Sequence, residues 1–323
     1  MSTTDPDHDV LGPDYTTRTI ELAPDAEGEV HATLVKRVAG PDGEAASTRA
    51  VLYVHGFIDY FFQTHLAEFW ADAGYTFYAL DLRKYGRSLR THHTPNYVTS
   101  LHEYDEELDA AVRIIREEDG HTSLTVMGHS TGGLIVSLWA HRRRHDGVVD
   151  ALVLNSPWFD LNANLLLRTV GTAVIHQVGS FRPHTEVSKL GQEYGRALHV
   201  STGGPWEYNL EWKPIEGFPV LAGWLRAIRQ GHAELGRGLE LPSPVFVACS
   251  TRSADAAKHP EAVADADVVL DVEHIARRSV KLGRCVTLVR ITGGIHDLAL
   301  SAEPARAEFF AELSRWERTY VPR

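Results

Sequence analysis

The sequence has little cysteine and no excess of positive charge. Its 323 residues include only two cysteines, Cys249 and Cys285. One follows a predicted strand and the other precedes a predicted strand, which places them at opposite edges of a parallel sheet, so we expect no disulfide. Acidic residues outnumber basic ones by 43 to 32, and the net charge of −11 disfavours nucleic acid as a partner.

Long hydrophobic runs and targeting signals are also lacking. No apolar stretch is long enough to span a bilayer, and the acidic, polar first ten residues do not resemble a signal peptide. We therefore expect a cytoplasmic protein without stable membrane insertion. The 18 histidines are scattered and do not stand at metal-ligand spacings, so we expect no metal site.

Short apolar runs alternate with longer segments of helical period, which is typical of βαβ units around a parallel sheet. Most of these runs are apolar on both faces, as strands buried between helices should be. The predicted strands are 50–54, 76–80, 124–127, 151–154, 245–248 and 286–291, preceded by an antiparallel pair near 17–22 and 29–37.

Two helices are predicted from apolar positions at 3.6-residue spacing. The first runs from about Tyr104 to Ile115 and closes near Gly120. The second is the last helix of the chain and is expected to begin after Ser301 as its N-cap. Its buried face is predicted to carry Phe309, Leu313 and Trp316.

The alternation of strands and helices stops in the middle of the chain. From 157 to 238, helical patches are interrupted by glycine, proline and tryptophan. This pattern predicts an inserted cap, with a core formed by 1–156 and 239–323. No internal repeat indicates a solenoid.

A nucleophile motif lies at the end of the third predicted parallel strand. The segment Gly128-His129-Ser130-Thr131-Gly132 has the form G-x-S-x-G and leads from a strand into a helix. The sharp turn exposes the serine, and glycines on either side avoid a clash where strand and helix approach. The helix N-terminus favours developing negative charge. We therefore interpret Ser130 as a nucleophile.

A serine nucleophile needs a base that is held by a third group. On this kind of elbow the acid and then the histidine follow the serine in the chain. His296 lies in a glycine loop after the last strand, where the base is expected. The acid is less clear, because Asp255, Asp265, Asp267 and Asp271 all lie after strand 245–248. Asp267 is favoured because it precedes the stretch that returns to the sheet edge.

An oxyanion hole is predicted beside the nucleophile. His55-Gly56-Phe57 follows the first parallel strand, and Gly56 lets the backbone turn back over the serine. The backbone amides of Phe57 and Thr131 are expected to donate to the oxyanion. We interpret His55 as structural and Asp59 as a cap of the following helix.

Together these motifs resemble the α/β-hydrolase superfamily, and within it the branch of monoacylglycerol lipases, lysophospholipases and S33 serine aminopeptidases. The resemblance covers nearly the whole chain. It rests on His55-Gly56-Phe57, the 80–88 loop, the 128–133 elbow, Asp267-Val268-Val269-Leu270-Asp271 and Gly294-Ile295-His296.

The resemblance implies a mostly parallel sheet with helices on both faces, an inserted helical cap, and a serine hydrolase that cleaves carboxylic esters without a cofactor. It also supports Asp267 as the acid and implies a structural 83–88 loop. The sequence departs from the pattern at Ile58-Asp59-Tyr60, where monoglyceride lipases have Gly-Glu-His, and in the long segment before the acid.

Aromatic side chains of the cap suggest where a substrate binds. Trp158, Phe159 and Trp206 are predicted to line an apolar pocket for a small-molecule acyl substrate. Large side chains that anchor the cap on the sheet are the alternative explanation. Peptidase, thioesterase and C–C hydrolase chemistry use the same residues and remain open, as does a non-catalytic homologue that binds a ligand.

Overall fold

The computed structural model describes residues 9–38, 47–161 and 179–321. The predicted strands are all present, with ends within two residues of the predicted ones, and two short strands are added. The strands are β1 (Tyr15–Glu21), β2 (His31–Arg37), β3 (Arg49–Val54), β4 (Thr76–Asp81), β5 (Ser123–His129), β6 (Ala151–Asn155), the short β7 (Glu186–Ser188) and β8 (Val220–Leu221), β9 (Val245–Ser250) and β10 (Val286–Ile291).

Eight of these strands form one sheet in the order β1-β2-β4-β3-β5-β6-β9-β10. β1 pairs antiparallel with β2, and β2 pairs antiparallel with β4. All other neighbours in the sheet run parallel. The predicted mostly parallel sheet with an antiparallel edge is therefore confirmed. In this arrangement the carboxyl ends of β3, β5, β6 and β9 meet at one edge.

Helices cover both faces of the sheet. They are α1 (Thr64–Asp72), α2 (Asp105–Arg113), α3 (Thr131–Arg142), α4 (Glu193–Leu198), α5 (Ala222–Gly236), α6 (Val272–Ser279) and α7 (Ala305–Tyr320). Strand side chains alternate between two apolar clusters. One cluster includes buried residues of α2, α3, α5 and α6, and the other includes those of α1 and α7. Over the described ranges, no helix is long and apolar enough to cross a bilayer.

The last helix buries the predicted face but begins later than expected. Phe309, Leu313 and Trp316 are buried, as predicted. The N-cap position is Pro304, and Ser301 is not the cap. The Ser301 hydroxyl instead accepts a hydrogen bond from the backbone N–H of Ile295 at 3.1 Å. Ser301 therefore stabilises the loop that carries His296.

The segment between β6 and β9 is built from short elements. β7 and β8 pair as a two-stranded sheet, and α4 lies between them in the chain. α5 packs into the same apolar cluster as the central sheet, through Leu225, Ile228 and Leu235. Part of the predicted cap, 162–178, lies outside the described residues. The division into 1–156 with 239–323 and 157–238 stays a prediction.

The loop after β4 is tied to the start of the chain by two buried cations. The Lys84 Nζ atom lies 2.5 Å from a carboxylate oxygen of Asp25 and 2.7 Å from one of Glu27. The Arg87 guanidinium lies 2.6 Å from Asp9. The side chains of Lys84 and Arg87 are 2% and 7% exposed. This arrangement agrees with the structural role that the resemblance implies for 83–88.

A buried histidine makes the stability of this fold depend on pH. His232 lies on α5, and its Nε2 atom is 2.9 Å from the Trp158 carbonyl oxygen. Burial lowers the pKa of His232 to about 4. In the unfolded chain the imidazole takes up a proton below about pH 6.5, whereas in the folded protein it stays neutral down to about pH 4. Above about pH 6.5 the neutral His232 therefore costs the folded protein no stability. As the pH falls from 6.5 towards 4, the unfolded chain binds the proton first, and the free energy of unfolding decreases.

We expect His232→Gln, which keeps an N–H donor but cannot be protonated, to reduce this dependence. Between pH 7.5 and 5.0, wild type should lose about 2 kcal/mol more of its unfolding free energy than the variant. Urea unfolding at both pH values measures the difference. The exposed His259→Gln is the control and should behave as wild type. Equal losses in wild type and His232→Gln would contradict the prediction.

Candidate active site

Ser130 lies at the turn between β5 and α3, where the sequence places the nucleophile. Its backbone has φ 52° and ψ −117°, a region that non-glycine residues rarely adopt. Two backbone hydrogen bonds hold this geometry: Ser130 N–H donates to the Asn155 carbonyl at 3.0 Å, and Trp158 N–H donates to the Ser130 carbonyl at 2.9 Å. The end of β6 therefore supports the strained turn.

The flanking glycines are required by close backbone approach, as predicted. A Cβ atom on Gly132 would lie 2.3 Å from the His55 carbonyl oxygen. One on Gly128 would lie 2.8 Å from the backbone of Gly132. Side chains at either position would push the elbow away from β3 or from its own helix.

A continuous chain of hydrogen bonds links three of the predicted side chains. The Ser130 hydroxyl lies 3.0 Å from His296 Nε2, and His296 Nδ1 lies 2.9 Å from an Asp267 carboxylate oxygen. The other Asp267 oxygen accepts the backbone N–H groups of Val269 and Leu270 at 2.9 and 2.7 Å. Asp267, His296 and Ser130 are 0%, 4% and 8% exposed. The carboxylate is thus oriented by backbone donors and faces the imidazole.

The other candidate carboxylates have different partners. Asp255 lies 3.2 Å from the Lys258 ammonium. Asp265 pairs with Arg252. Asp271 caps α6 by accepting a backbone N–H of that helix at 2.9 Å. Of the four aspartates that follow β9, Asp267 is the one hydrogen-bonded to the histidine.

The two expected oxyanion donors lie beside the nucleophile and line the same cavity. Thr131 is the first residue of α3, so its N–H has no acceptor within the helix. Phe57 follows Gly56, on which a Cβ atom would lie 3.1 Å from Ser130 Cβ. His55 shapes this loop, because its ring bonds the Gly56 carbonyl at 2.8 Å and the N–H of the residue after β4 at 3.1 Å. Its expected structural role is confirmed.

Asp59 does not cap the following helix, whose N-cap position is Gln63. It is buried, and one carboxylate oxygen lies 2.5 Å from the Lys213 ammonium. The other accepts the Gly56 N–H at 3.4 Å. Burial raises the pKa of Asp59, but Lys213 and neighbouring histidines outweigh it, so the pKa lies below its usual value. Sequence reasoning missed Lys213, since no local pattern links it to Asp59.

A cavity of about 250 Å³ opens onto Ser130 and His296. Its walls are largely apolar and include Phe57, Trp158, Val220, Trp224 and Leu270. The Phe57 and Trp224 rings stack with centroids 3.9 Å apart. Trp158 is one of these wall residues, so its side chain lies in the pocket for which it was predicted.

Phe159 and Trp206 lie away from the cavity lining, which corrects their predicted place in the pocket. Phe159 is 1% exposed and packs into the apolar core of the sheet. The Trp206 ring stacks on His65 at 4.8 Å, and its Nε1 donates to the Leu300 carbonyl at 3.0 Å. Trp206 thus anchors part of the segment between β6 and β9 on the rest of the protein, in agreement with the alternative explanation that large side chains serve as anchors.

A buried polar network behind His296 was not predicted. One Asp297 carboxylate oxygen accepts the Asn155 amide at 2.7 Å, and the other accepts the Gln63 amide at 3.0 Å. The Tyr194 hydroxyl accepts the Asp297 backbone N–H at 2.9 Å. These bonds fix the residue that follows His296 and so hold the imidazole over the serine.

A second histidine lies close to the first. The His129 ring centroid is 4.9 Å from that of His296, and its Nδ1 is 3.1 Å from the Asn155 carbonyl oxygen. Burial, helped by the nearby His296, lowers the pKa of His129. His129 therefore remains neutral near pH 7 and adds no positive charge beside the base. In the described parts of the chain, no group of three His, Cys, Asp or Glu side chains is placed to hold a metal ion.

Sequence comparisons relate the chain to lipases and peptidases. Residues 45–202 match a family model described as serine aminopeptidase, S33. A monoacylglycerol lipase of Mycolicibacterium smegmatis is 32% identical over 143 residues, or 43% of this chain and 48% of that protein. Phospholipase YtpA of Bacillus subtilis is 29% identical over 130 residues, or 39% and 48%. The aligned region thus spans about half the length of these curated relatives.

Structural comparison extends the likeness over almost the whole chain. A soluble variant of monoglyceride lipase from Saccharomyces cerevisiae, crystallised with a substrate analogue, superimposes with a TM-score of 0.66. The match covers 97% of this chain and 98% of that structure at 14% identity. At this identity the likeness establishes the fold, and it agrees with the sheet order and the serine elbow described above. The chain therefore has the α/β-hydrolase fold.

Proposed function

We propose that this protein is a serine hydrolase that cleaves carboxylic esters through an acyl-serine intermediate. The observation that carries the proposal is the hydrogen-bond chain from Asp267 through His296 to Ser130. A serine is a useful nucleophile only when a base takes its proton and a third group orients that base. His296 is placed to act as the base, and the buried carboxylate of Asp267 is placed to orient it. The serine itself faces a cavity.

In this mechanism Ser130 Oγ attacks the ester carbonyl while His296 Nε2 takes the hydroxyl proton. Asp267 holds the imidazole with its Nδ1–H towards the carboxylate and stabilises the imidazolium that forms. The amides of Phe57 and Thr131 stabilise the oxyanion. His296 then returns the proton to the leaving alcohol. Water, activated by the same imidazole, hydrolyses the acyl-serine and restores the enzyme.

The cavity favours a small acyl substrate with an apolar acyl group. Phe57, Trp158 and Trp224 give it an aromatic wall next to the expected oxyanion site. The relatives named monoacylglycerol lipase and phospholipase favour an ester of a glycerol lipid, such as a monoacylglycerol or a lysophospholipid. We include in the proposal a cytoplasmic location without stable membrane insertion. The proposal also includes no binding of nucleic acid, which the net charge of −11 disfavours.

The description of the matching family model favours a second candidate, hydrolysis of a peptide bond at an amino-terminal residue. The same three side chains would perform it, with an amine as leaving group. Assays with p-nitrophenyl esters, monoacylglycerols, thioesters and aminoacyl p-nitroanilides separate the candidates. Esters should give the highest kcat/KM if the leading proposal is correct.

Covalent labelling tests whether the serine is activated at all. We expect a fluorophosphonate probe to label the folded protein at Ser130, because the phosphonylation needs a base next to the nucleophile. Mass spectrometry of the labelled peptide identifies the site, and heat-denatured protein is the control. A folded protein that stays unlabelled would favour a non-catalytic homologue that only binds a ligand.

A further inference from the structure

The loop that carries the Phe57 amide has a strained backbone. Ile58, the next residue, has φ 52°. β-branched residues are genuine outliers at positive φ, because the branched side chain crowds the backbone there. The Thr131 amide belongs to the start of a helix, whereas the Phe57 amide depends on this turn. Something outside the turn must therefore hold it in place.

Two residues of the predicted cap (157–238), Lys213 and Gly217, make contacts that hold the turn. Lys213 Nζ lies 2.5 Å from Asp59, whose second carboxylate oxygen accepts the Gly56 N–H. The Ile58 side chain lies against Gly217, where a Cβ atom would be 3.2 Å from Ile58 Cδ1. Both contacts flank the Phe57 peptide. They connect it to a part of the chain about 150 residues away.

Asp59 is buried, Lys213 is partly buried, and aromatic rings surround the ammonium group. The side chains of Lys213 and Asp59 are 14% and 3% exposed. The Lys213 ammonium also lies over the rings of Phe62 and Tyr208, 5.5 Å from each centroid. Because Asp59 is shielded from solvent, its attraction to Lys213 fixes the geometry of the carboxylate more firmly than a surface pair would.

We propose that Lys213 is a positioning residue for the oxyanion hole. It acts through Asp59 and Gly56, and it fixes the direction of the Phe57 N–H without itself contacting the reacting atoms. This inference rests on the proposed ester hydrolysis. The predicted cap would then help to stabilise the transition state, in addition to forming part of the pocket.

The test compares substrate turnover with the binding of a transition-state analogue. Lys213→Met should lower kcat for p-nitrophenyl butyrate by up to about 100-fold, since a small misplacement of one donor is enough for such a loss. KM should stay within about two-fold. The Ki of a trifluoromethyl ketone, which forms a tetrahedral oxyanion on Ser130, should rise by the same factor as kcat/KM falls.

Removing one partner leaves a buried charge unpaired, which can unfold the protein. The double variant Asp59→Asn/Lys213→Met has no buried charge at this place, and the introduced amide still offers an acceptor to the Gly56 N–H. It should fold and remain slow. Lys36→Met is the matched control, because it also breaks a Lys–Asp pair, with Asp119, at the edge of the sheet away from the site. It should keep wild-type kcat and Ki.

The outcomes separate this inference from the proposed function. Wild-type kcat and Ki in both Lys213→Met and the double variant would overturn the positioning role. A rise in KM with an unchanged Ki for the ketone would also overturn it, because Lys213 would then contact the substrate directly. If wild type neither cleaves esters nor binds the ketone, the proposed function is wrong and the inference falls with it.

Discussion

Replacing Ser130 with alanine is expected to lower kcat for an activated ester by about 10⁴- to 10⁶-fold. Without the hydroxyl, His296 has no nucleophile to activate, and only the oxyanion donors and the pocket can still assist attack by water. Alanine meets the same backbone strain as serine at φ 52°, so the fold should be preserved. Turnover of p-nitrophenyl butyrate, with circular dichroism to verify folding, measures the effect.

A second buried serine provides the control. Ser137 lies on α3, and its hydroxyl donates to the Gly133 carbonyl at 2.6 Å. Ser137→Ala removes a hydroxyl from the same helix without touching the hydrogen-bond chain, so its kcat should stay within a few-fold of wild type. Substantial hydrolysis by purified Ser130→Ala would show that another group is the nucleophile.

Asp267→Asn should lower kcat by up to about 10⁴-fold. In wild type one carboxylate oxygen accepts two backbone N–H groups, from Val269 and Leu270. These donors will orient the asparagine with its carbonyl oxygen towards them and its NH₂ group towards His296. The imidazole must then accept at Nδ1 and carry its proton on Nε2, which faces Ser130. In that tautomer it cannot take the serine proton.

The comparison with Asp255→Asn decides which carboxylate is the acid. Asp255 is engaged with Lys258 and with the backbone N–H of Ala257 at 3.1 Å, so its amide variant should have only a mild effect. Both variants are assayed with the same activated ester after their folding has been verified. A crippled Asp255→Asn beside a near-normal Asp267→Asn would place the acid at the beginning of the long segment after β9.

The sheet and the serine elbow were predictable because their signals are local. A strand buried on both faces is a short apolar run, and the elbow needs its glycines within four residues of one another. His296 was found for a related reason, since a loop after the last strand returns to the edge where Ser130 lies. Each of these features depends on neighbours in the chain.

Other features depend on residues that are distant in the chain, and the sequence did not reveal them. Asp59 looked like a helix cap, because its partner Lys213 is 154 residues away. Phe159 and Trp158 are adjacent and both pack into the apolar core, yet Trp158 also lines the cavity and Phe159 does not. Hydrophobicity alone cannot distinguish these two environments, since both exclude water from an aromatic ring. The Asp297 network links the end of β6, the N-cap of α1 and helix α4, for which no common motif exists.

The two cations of the loop after β4 are paired with residues that lie ahead of the region that the family model matches. The match to the family model starts at residue 45. The carboxylates that neutralise Lys84 and Arg87 come in part from Asp9, Asp25 and Glu27, ahead of that point. A chain that began at the family boundary would lack these three carboxylates, although Asp81 would still pair with Arg87. The ion pairs that hold this loop therefore extend beyond the region that the family model matches.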